Sequence, residues 1–248
     1  MTDPVAHTYS IVGRCARTGE VGAAVASAVP ASGAICLYAR GGAGIVSTQA
    51  WVNPYLAAIA LETMAQGFEA AEALAAALAT DEGAMHRQIG AIAAIGAGAA
   101  HTGGGCSEWA GQETAADYAA QGNMLTGAEV ISAMSEAFAA DPALTLEERL
   151  MRALEAAQAV GGDRRGRQSA GLLVQGCEFY PRINLRVDEH PTPVAELRRV
   201  LDVASAQLGP FVAGMPRRGM VPAPAPDVIE MLRKSPTDRP GGGGSRDP

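Results

Sequence analysis

The chain has 248 residues, of which 48% are apolar, so it is long enough for one large domain with a substantial hydrophobic core. A net charge of -7 with no basic stripe argues against nucleic acid or an anionic membrane as a partner. The four cysteines form no C-x-x-C pair, which excludes zinc-ribbon and dithiol redox motifs.

The first 50 residues are predicted to contain strands and no helix. A short polar leader, residues 1–7, comes first. The predicted strands are residues 8–12, residues 21–29 and two more within residues 34–50. Four strands before any helix indicate an antiparallel sheet.

Helices and strands then follow in blocks. Asn53 is a good N-cap with Pro54 at the first helical position, and Gly67 ends that helix. The later predicted elements are a helix at 68–81, strands at 87–96 and 99–103, two helices with capping boxes at Thr126/Glu129 and Thr145/Glu148, and strands at 169–175 and 183–188.

This order predicts an α+β fold, a four-layer αββα sandwich of two antiparallel sheets over residues 8–191. A C-terminal helical extension, residues 192–235, begins with Pro193, and its first helix is predicted to stop at Gly209 and Pro210. Its apolar stripe predicts a packing or oligomer element. The low-complexity tail, residues 236–248, is predicted to be disordered.

Eight segments resemble, in order, those of a bacterial family of unknown function, DUF1028, which is assigned to the superfamily of N-terminal nucleophile (Ntn) hydrolases. They are HTYSIVGR, GAAVAS, GAGIVSTQAWVNP, HRQIGAI, HTGGGCSEWAG, YAAQGNML, GGDRRGRQSAGLLV and LRVDEHPTPVAELRR. The resemblance implies the αββα fold, amide-bond hydrolysis and homo-oligomers. In most members the threonine directly follows the initiator methionine, whereas here Thr8 follows the leader.

Thr8 is therefore the candidate nucleophile. A threonine hydroxyl needs a base within reach, and a free α-amine with a pKa of about 8 supplies one. That chemistry requires cleavage of the His7–Thr8 bond. The alternative is an ordinary strand threonine, chosen for its β propensity.

The turn GGDRRGRQS holds further candidates. Asp163 is predicted to orient the Thr8 amine, and bidentate arginines suit a substrate carboxylate. The predicted substrate-binding residues of this turn are Arg164, Arg165, Arg167, Gln168 and Ser169. The alternative is an arginine-rich turn whose ion pairs only hold the loop.

Side-chain amides next to glycine suit an oxyanion hole. The segment AAQGN offers Gln121 and Asn123, of which Asn123 is the predicted oxyanion donor. The segment STQAWVN offers Ser47, Thr48 and Gln49, of which Gln49 is a predicted substrate-binding residue. Asn53 has a structural role as an N-cap.

A rival site lies in HTGGGCSEWAG. His101 and Cys106 could form a histidine-activated thiolate, and Trp109 would wall a pocket. The alternatives are a buried inert cysteine and a core tryptophan.

The histidines and acids elsewhere, such as Asp188, Glu189 and His190, have no metal-ligand spacing, and we predict no metal and no cofactor. Lacking a signal peptide or a membrane-spanning run, the chain is predicted to be cytoplasmic. The sequence thus predicts an Ntn-type hydrolase of a small-molecule amide. The alternatives are a non-catalytic ligand-binding module and a structural subunit whose C-terminal helix recruits a partner.

Overall fold

The computed structural model describes residues 8–247, and the predicted leader, residues 1–7, lies outside the described residues. Ten strands are described: β1 Thr8–Arg14, β2 Val21–Ser27, β3 Leu37–Arg40, β4 Gly44–Ala50, β5 Arg87–Ala93, β6 Ala99–Thr102, β7 Gly111–Thr114, β8 Tyr118–Asn123, β9 Ser169–Gln175 and β10 Ile183–Val187. The α-helices of the same residues are α1 Ser32–Ile35, α2 Pro54–Ala65, α3 Ala70–Leu78, α4 Glu129–Ala139, α5 Leu146–Ala159, α6 Pro193–Ala213 and α7 Pro226–Arg233.

The strands form two antiparallel sheets, which confirms the predicted α+β class. The first has six strands in the order β10-β9-β2-β1-β8-β7, and the second has four in the order β3-β4-β5-β6. The strand β1 lies inside the first sheet, paired with β2 on one side and β8 on the other. The start of β1 is therefore held by ladders on both edges.

The core divides into three clusters. The largest joins the six-stranded sheet to α4, α5 and α6, and the second joins the four-stranded sheet to α2 and α3. The third lies where the two sheets meet and is built from small and branched side chains such as Val12, Val25, Ile45, Ile92 and Leu173. The predicted stacking of these elements as a four-layer αββα sandwich stays a prediction.

The helix starts follow the sequence in part. Asn53 accepts a hydrogen bond from the Tyr55 amide ahead of Pro54, as predicted. The predicted capping boxes at Thr126/Glu129 and Thr145/Glu148 are wrong, because neither threonine side chain caps its helix. The helix α4 begins after Ala128, and at the start of α5 the Glu148 carboxylate is held by arginines. The described capping box is instead Glu69 with Glu72, in which a carboxylate replaces the usual hydroxyl.

Three elements were not predicted. The helix α1 is a single turn, and β7 is a polar edge strand whose side chains are mostly exposed. The strand β8 was missed although it pairs with β1 over most of its length. Its sequence, YAAQGN, ends in polar residues that do not suggest a buried strand.

The C-terminal helix α6 runs through the predicted stop at Gly209 and Pro210 and ends at Ala213. Proline costs the helix one backbone hydrogen bond, and a position one turn from the end tolerates that loss. The described tail contacts this helix, since Gln207 Nε2 donates to the carbonyl of Gly242 at 2.8 Å. The predicted domain boundaries and the disorder of residues 236–248 stay predictions. Within residues 8–247, no helix has the length and apolar character to cross a membrane.

Candidate active site

Thr8 is the first residue of β1 and faces the space between the two sheets. It lies opposite Ser27 of β2 and Asn123 of β8, and its side chain is buried. The Thr8 hydroxyl is 3.1 Å from the Ser27 hydroxyl. Its carbonyl accepts a hydrogen bond of 3.0 Å from Gln49 Nε2, which crosses from the second sheet.

The end of the inter-sheet space around Thr8 is polar. Strand side chains alternate between faces, so polar residues at every second position project together from both sheets. We call this group the inter-sheet polar cluster. Its members, all buried, are Thr8, Ser10, Ser27, Ser47, Gln49, Gln88, Gln121 and Asn123.

Ser10 is hydrogen-bonded to three other members of the cluster. Its hydroxyl donates to Gln49 Oε1 at 2.6 Å and receives hydrogen bonds from Ser47 Oγ at 2.9 Å and Gln121 Nε2 at 2.8 Å. These contacts hold the Gln49 amide beside the Thr8 carbonyl. Hydrogen bonds in a buried network also strengthen one another by polarisation.

Gln88 is the second centre of the cluster. Its Oε1 accepts from Gln49 Nε2 at 2.7 Å and from Asn123 Nδ2 at 2.8 Å. Its Nε2 donates to the carbonyl of Gly122 at 2.8 Å and to Thr102 Oγ1 at 2.9 Å. With partners on both ends, the Gln88 amide has one favourable orientation, and that orientation fixes the amide of Asn123.

Asn123 keeps unused hydrogen-bonding capacity. Its Oδ1 and the Oε1 of Gln121 are buried and have no partner among the described residues. An amide nitrogen carries two N–H donors, and Gln88 takes one from Asn123. Met124, next along the chain, has a positive φ of 49°, and Ala50, which follows Gln49, has 63°. Such strain in non-glycine residues is concentrated at functional sites.

Asp163 lies next to this end of the first sheet. Its buried carboxylate accepts a hydrogen bond from the Ala28 amide at 3.1 Å and pairs with Arg165 at 2.9 Å. Asp163 also forms an isolated bridge with Leu125, just after β8. Burial raises the pKa of Tyr9, and the negative charge of Asp163 raises it further, whereas the charge of Arg167 lowers it.

The other residues of the turn divide into two groups. Arg164, Arg165 and Arg167 are exposed, and the Arg164 amide donates to the carbonyl of Met124 at 3.2 Å. Gln168 contributes its backbone amide, which donates to the Ser27 carbonyl at 2.9 Å. The turn is therefore attached to Ser27, which lies opposite Thr8, and to Met124, which follows Asn123.

Ser169 has a structural set of contacts. Its hydroxyl donates to the Val29 carbonyl at 2.6 Å and lies 2.7 Å from the Ser32 hydroxyl. The Ser32 amide also donates to this hydroxyl at 3.0 Å, and together these contacts hold α1 against β9.

His101 and Cys106 are engaged separately. His101 Nε2 contacts the Ala84 carbonyl at 3.1 Å, and the Cys106 thiol donates to the Arg87 carbonyl at 3.4 Å. Burial raises the pKa of Cys106, which disfavours a reactive thiolate. Trp109 is half-buried and packs against the largest core cluster. No three metal-ligating side chains lie together within residues 8–247.

Three members of the cluster, Ser10, Ser27 and Gln88, were not among the predicted site residues. A polar side chain at alternate strand positions usually marks a solvent-facing side. The sequence does contain a signal for these three residues. They occur within strand segments that are otherwise mostly apolar, namely SIV, VAS and RQIG. That pattern indicates a polar interior shared by two sheets.

Fold and site together define a mixed α+β protein of two antiparallel sheets with a buried threonine at the start of an inner strand. The chain belongs to the family of unknown function DUF1028, whose model matches residues 8–197. Its fold is similar to the crystal structure of protein SPO2555 from Silicibacter pomeroyi, described with the same family. The two are 30% identical with a TM-score of 0.80, over 88% of this chain and 97% of that one. A comparison with curated proteins found no match.

Proposed function

We propose that this chain is an Ntn-type hydrolase that cleaves a C–N amide bond in a small molecule, with Thr8 as the nucleophile. One observation carries the proposal: Thr8 is the first residue matched by the family model, and it begins an inner strand with its hydroxyl inside the inter-sheet polar cluster. An N-terminal nucleophile needs this placement, which fixes the residue's backbone and side chain together.

The finer fold assignment is part of the same proposal. Helices α4 and α5 contact the six-stranded sheet, α2 and α3 contact the four-stranded sheet, and strands of the two sheets contact each other. These contacts support a four-layer αββα sandwich of the Ntn-hydrolase kind.

The chemistry begins with cleavage of the His7–Thr8 bond, which frees the α-amine of Thr8. The neutral amine takes the proton of the Thr8 hydroxyl as the oxygen attacks the substrate carbonyl carbon. The C–N bond then breaks, the amine returns the proton to the leaving nitrogen, and an ester to Thr8 forms. Water hydrolyses this ester and regenerates the hydroxyl.

Asn123 would stabilise the oxyanion of the tetrahedral intermediate. The N–H that Gln88 does not use is a neutral donor in a buried setting, where such a hydrogen bond is strongest. Because Gln88 fixes the amide beforehand, little reorganisation accompanies the reaction.

Asp163 and the turn after it would position the amine and select the substrate. The carboxylate is held by the Ala28 amide, close to the start of β1. The exposed guanidinium groups of Arg164 and Arg167 favour a substrate that carries a carboxylate of its own. Gln49 would help to hold the Thr8 backbone in place through the hydrogen bond that it donates to the Thr8 carbonyl.

The experiment compares full-length protein with protein that begins at Thr8, each checked by intact mass. Hydrolysis is followed with acetyl- and succinyl-p-nitroanilide. The protein that begins at Thr8 is expected to release p-nitroaniline, faster from the succinyl compound. Thr8→Ala should abolish turnover, and Thr8→Ser should retain part of it. Thr114→Ala, at an exposed position of β7, is the matched control. Full activity of Thr8→Ala or of the protein that keeps residues 1–7 would disprove the proposal.

The second candidate is a non-catalytic binding module that keeps its leader. The unpartnered oxygens of Asn123 and Gln121 favour it, because they could accept hydrogen bonds from ligand N–H groups. Saturable binding of an amide without turnover, by protein of full mass, would support this reading. The predicted homo-oligomer is tested separately by sedimentation of the chain with and without residues after 208.

A further inference from the structure

A cavity of about 470 Å³ lies far from Thr8, between α6 and the β9–β10 hairpin. Its lining includes Gly176 and Cys177, which follow the end of β9. At that end Gln175 pairs with Val21, whereas Ser169 pairs with Ser27 at the Thr8 end. A seven-residue strand separates the two ends by about 20 Å. The cavity is therefore distinct from the candidate active site.

One wall of the cavity is apolar. It consists of Ile183 and Leu185 from β10 and of Leu201, Leu208 and Val212 from α6. The family match ends at residue 197, so the α6 part of this wall lies beyond it. A volume of 300–1,000 Å³ with mainly apolar walls is typical of small-molecule sites.

The charged end of the lining is held together by ion pairs. Arg182 pairs with Glu20 at 2.5 Å and with Glu147 at 2.7 Å. Burial opposes ionisation of Glu147, but the hydrogen bonds from Arg182 hold its pKa below the usual value. Two carboxylates share one guanidinium, which leaves a net negative charge at this end.

The remaining charged groups of the lining do not reverse that balance. Glu178 adds a carboxylate and Arg217 a guanidinium, so the lining has three carboxylates and two guanidinium groups. Arg217 is exposed, and water screens its charge more than those of the partly buried Glu20 and Glu147. The cavity thus combines an apolar wall with a negative end.

We propose that this cavity is a binding site for a small apolar amine, whose hydrocarbon part packs on α6 and whose ammonium group faces Glu20 and Glu147. An ammonium can donate hydrogen bonds to the carboxylate lone pairs that Arg182 and the Thr18 hydroxyl leave unused, because each carboxylate offers about four. The inference does not rest on the proposed function.

The test uses three matched probes, hexylamine, 1-hexanol and hexanoate, which share a six-carbon chain and differ in charge. Affinity is measured by calorimetry at constant ionic strength. A second readout is protection of Cys177, an exposed lining residue, from alkylation followed by mass spectrometry. Hexylamine is expected to bind at least tenfold tighter than the other two and to protect Cys177.

Two variants locate the binding. Ala204→Trp fills the cavity and should abolish hexylamine binding and Cys177 protection while circular dichroism stays unchanged. Glu147→Gln should weaken hexylamine about tenfold and leave 1-hexanol unchanged. Glu82→Gln, an equal charge change at an exposed loop position, is the control and should have no effect. Equal affinity for 1-hexanol, tighter binding of hexanoate, no saturable binding or unchanged binding by Ala204→Trp would each overturn the proposal.

Discussion

Asn123 lies directly opposite Thr8 across the β1–β8 ladder, and Gln88 of the other sheet holds its amide through a 2.8 Å hydrogen bond. The two residues come from distant parts of the chain, yet the antiparallel register sets their separation. Directly paired side chains on one face have Cβ atoms about 4.5–5.5 Å apart. The register therefore places the candidate nucleophile beside the candidate oxyanion donor.

Asn123→Asp is expected to lower kcat of the protein that begins at Thr8 by about 10²–10³-fold, because an ionised carboxylate offers no N–H to an oxyanion. Steady-state kinetics with succinyl-p-nitroanilide measures this, and KM should change much less. Asn184→Asp, at an exposed position of β10, is the matched control. A variant that stays folded by thermal unfolding and keeps kcat within twofold would refute the oxyanion role.

Gln88→Leu is expected to lower the free energy of unfolding by about 3 kcal/mol. Leucine has a similar size, but it leaves the buried amide of Asn123 and the Gly122 carbonyl without their present partner. Urea denaturation measures the change. Gln66→Leu, on an exposed helix end, should shift stability by less than about 0.5 kcal/mol. Equal effects of the two variants would show that Gln88 does not organise the cluster.

Gly90→Ala tests how closely the two sheets approach. A Cβ atom at Gly90 would lie 2.1 Å from Gln121 Oε1, so the glutamine that binds Ser10 would have to move. We expect a loss of about 2 kcal/mol in unfolding free energy, the range for overpacked cores. Gly104→Ala, where a Cβ meets no heavy atom within 4 Å, is the control. Similar melting temperatures for both variants would contradict the described approach.

Asp81 gives a prediction about pH. Its hydrogen bonds with Arg87, helped by Asn53 and the Gly83 amide, lower its pKa from 3.8 to about 2 despite burial. A lowered pKa in the folded state stabilises the protein above the unfolded value, and this stability is lost as the pH falls from about 4 towards 2.

Asp81→Asn should therefore cost about 2 kcal/mol at pH 7 and at pH 5, and less at pH 3. Urea denaturation of both proteins at each pH measures the difference. Asp202→Asn, on an exposed face of α6, serves as the control. A difference that stays constant or grows down to pH 3 would rule out this ion pair as the cause.

The sequence predicted the elements whose formation depends on local features. Asn53 and Pro54 mark the start of α2 because a side-chain acceptor and a fixed φ act within a few residues. The strands β1, β2, β4 and β5 are recognisable because their residues are buried on both faces and therefore nearly all small or apolar.

The parts that could not be predicted depend on pairing between distant segments. The role of Gln88 arises only when β5 faces β8, and a single sequence does not show which strands meet. The same reason explains why β8 was missed while its residue Asn123 was singled out. An amide next to glycine suggests chemistry locally, but a strand that ends in polar residues is recognisable only beside its partner.

The inner position of β1 has a consequence for synthesis on the ribosome. The strand can pair with β2 at once, but its other edge stays open until residues 118–123 have been translated. At about 5–20 residues per second this wait lasts several seconds, during which an apolar strand edge is exposed to other nascent chains. Chains that terminate before Asn123 cannot close that edge, so we expect premature termination to yield aggregates rather than smaller folded domains.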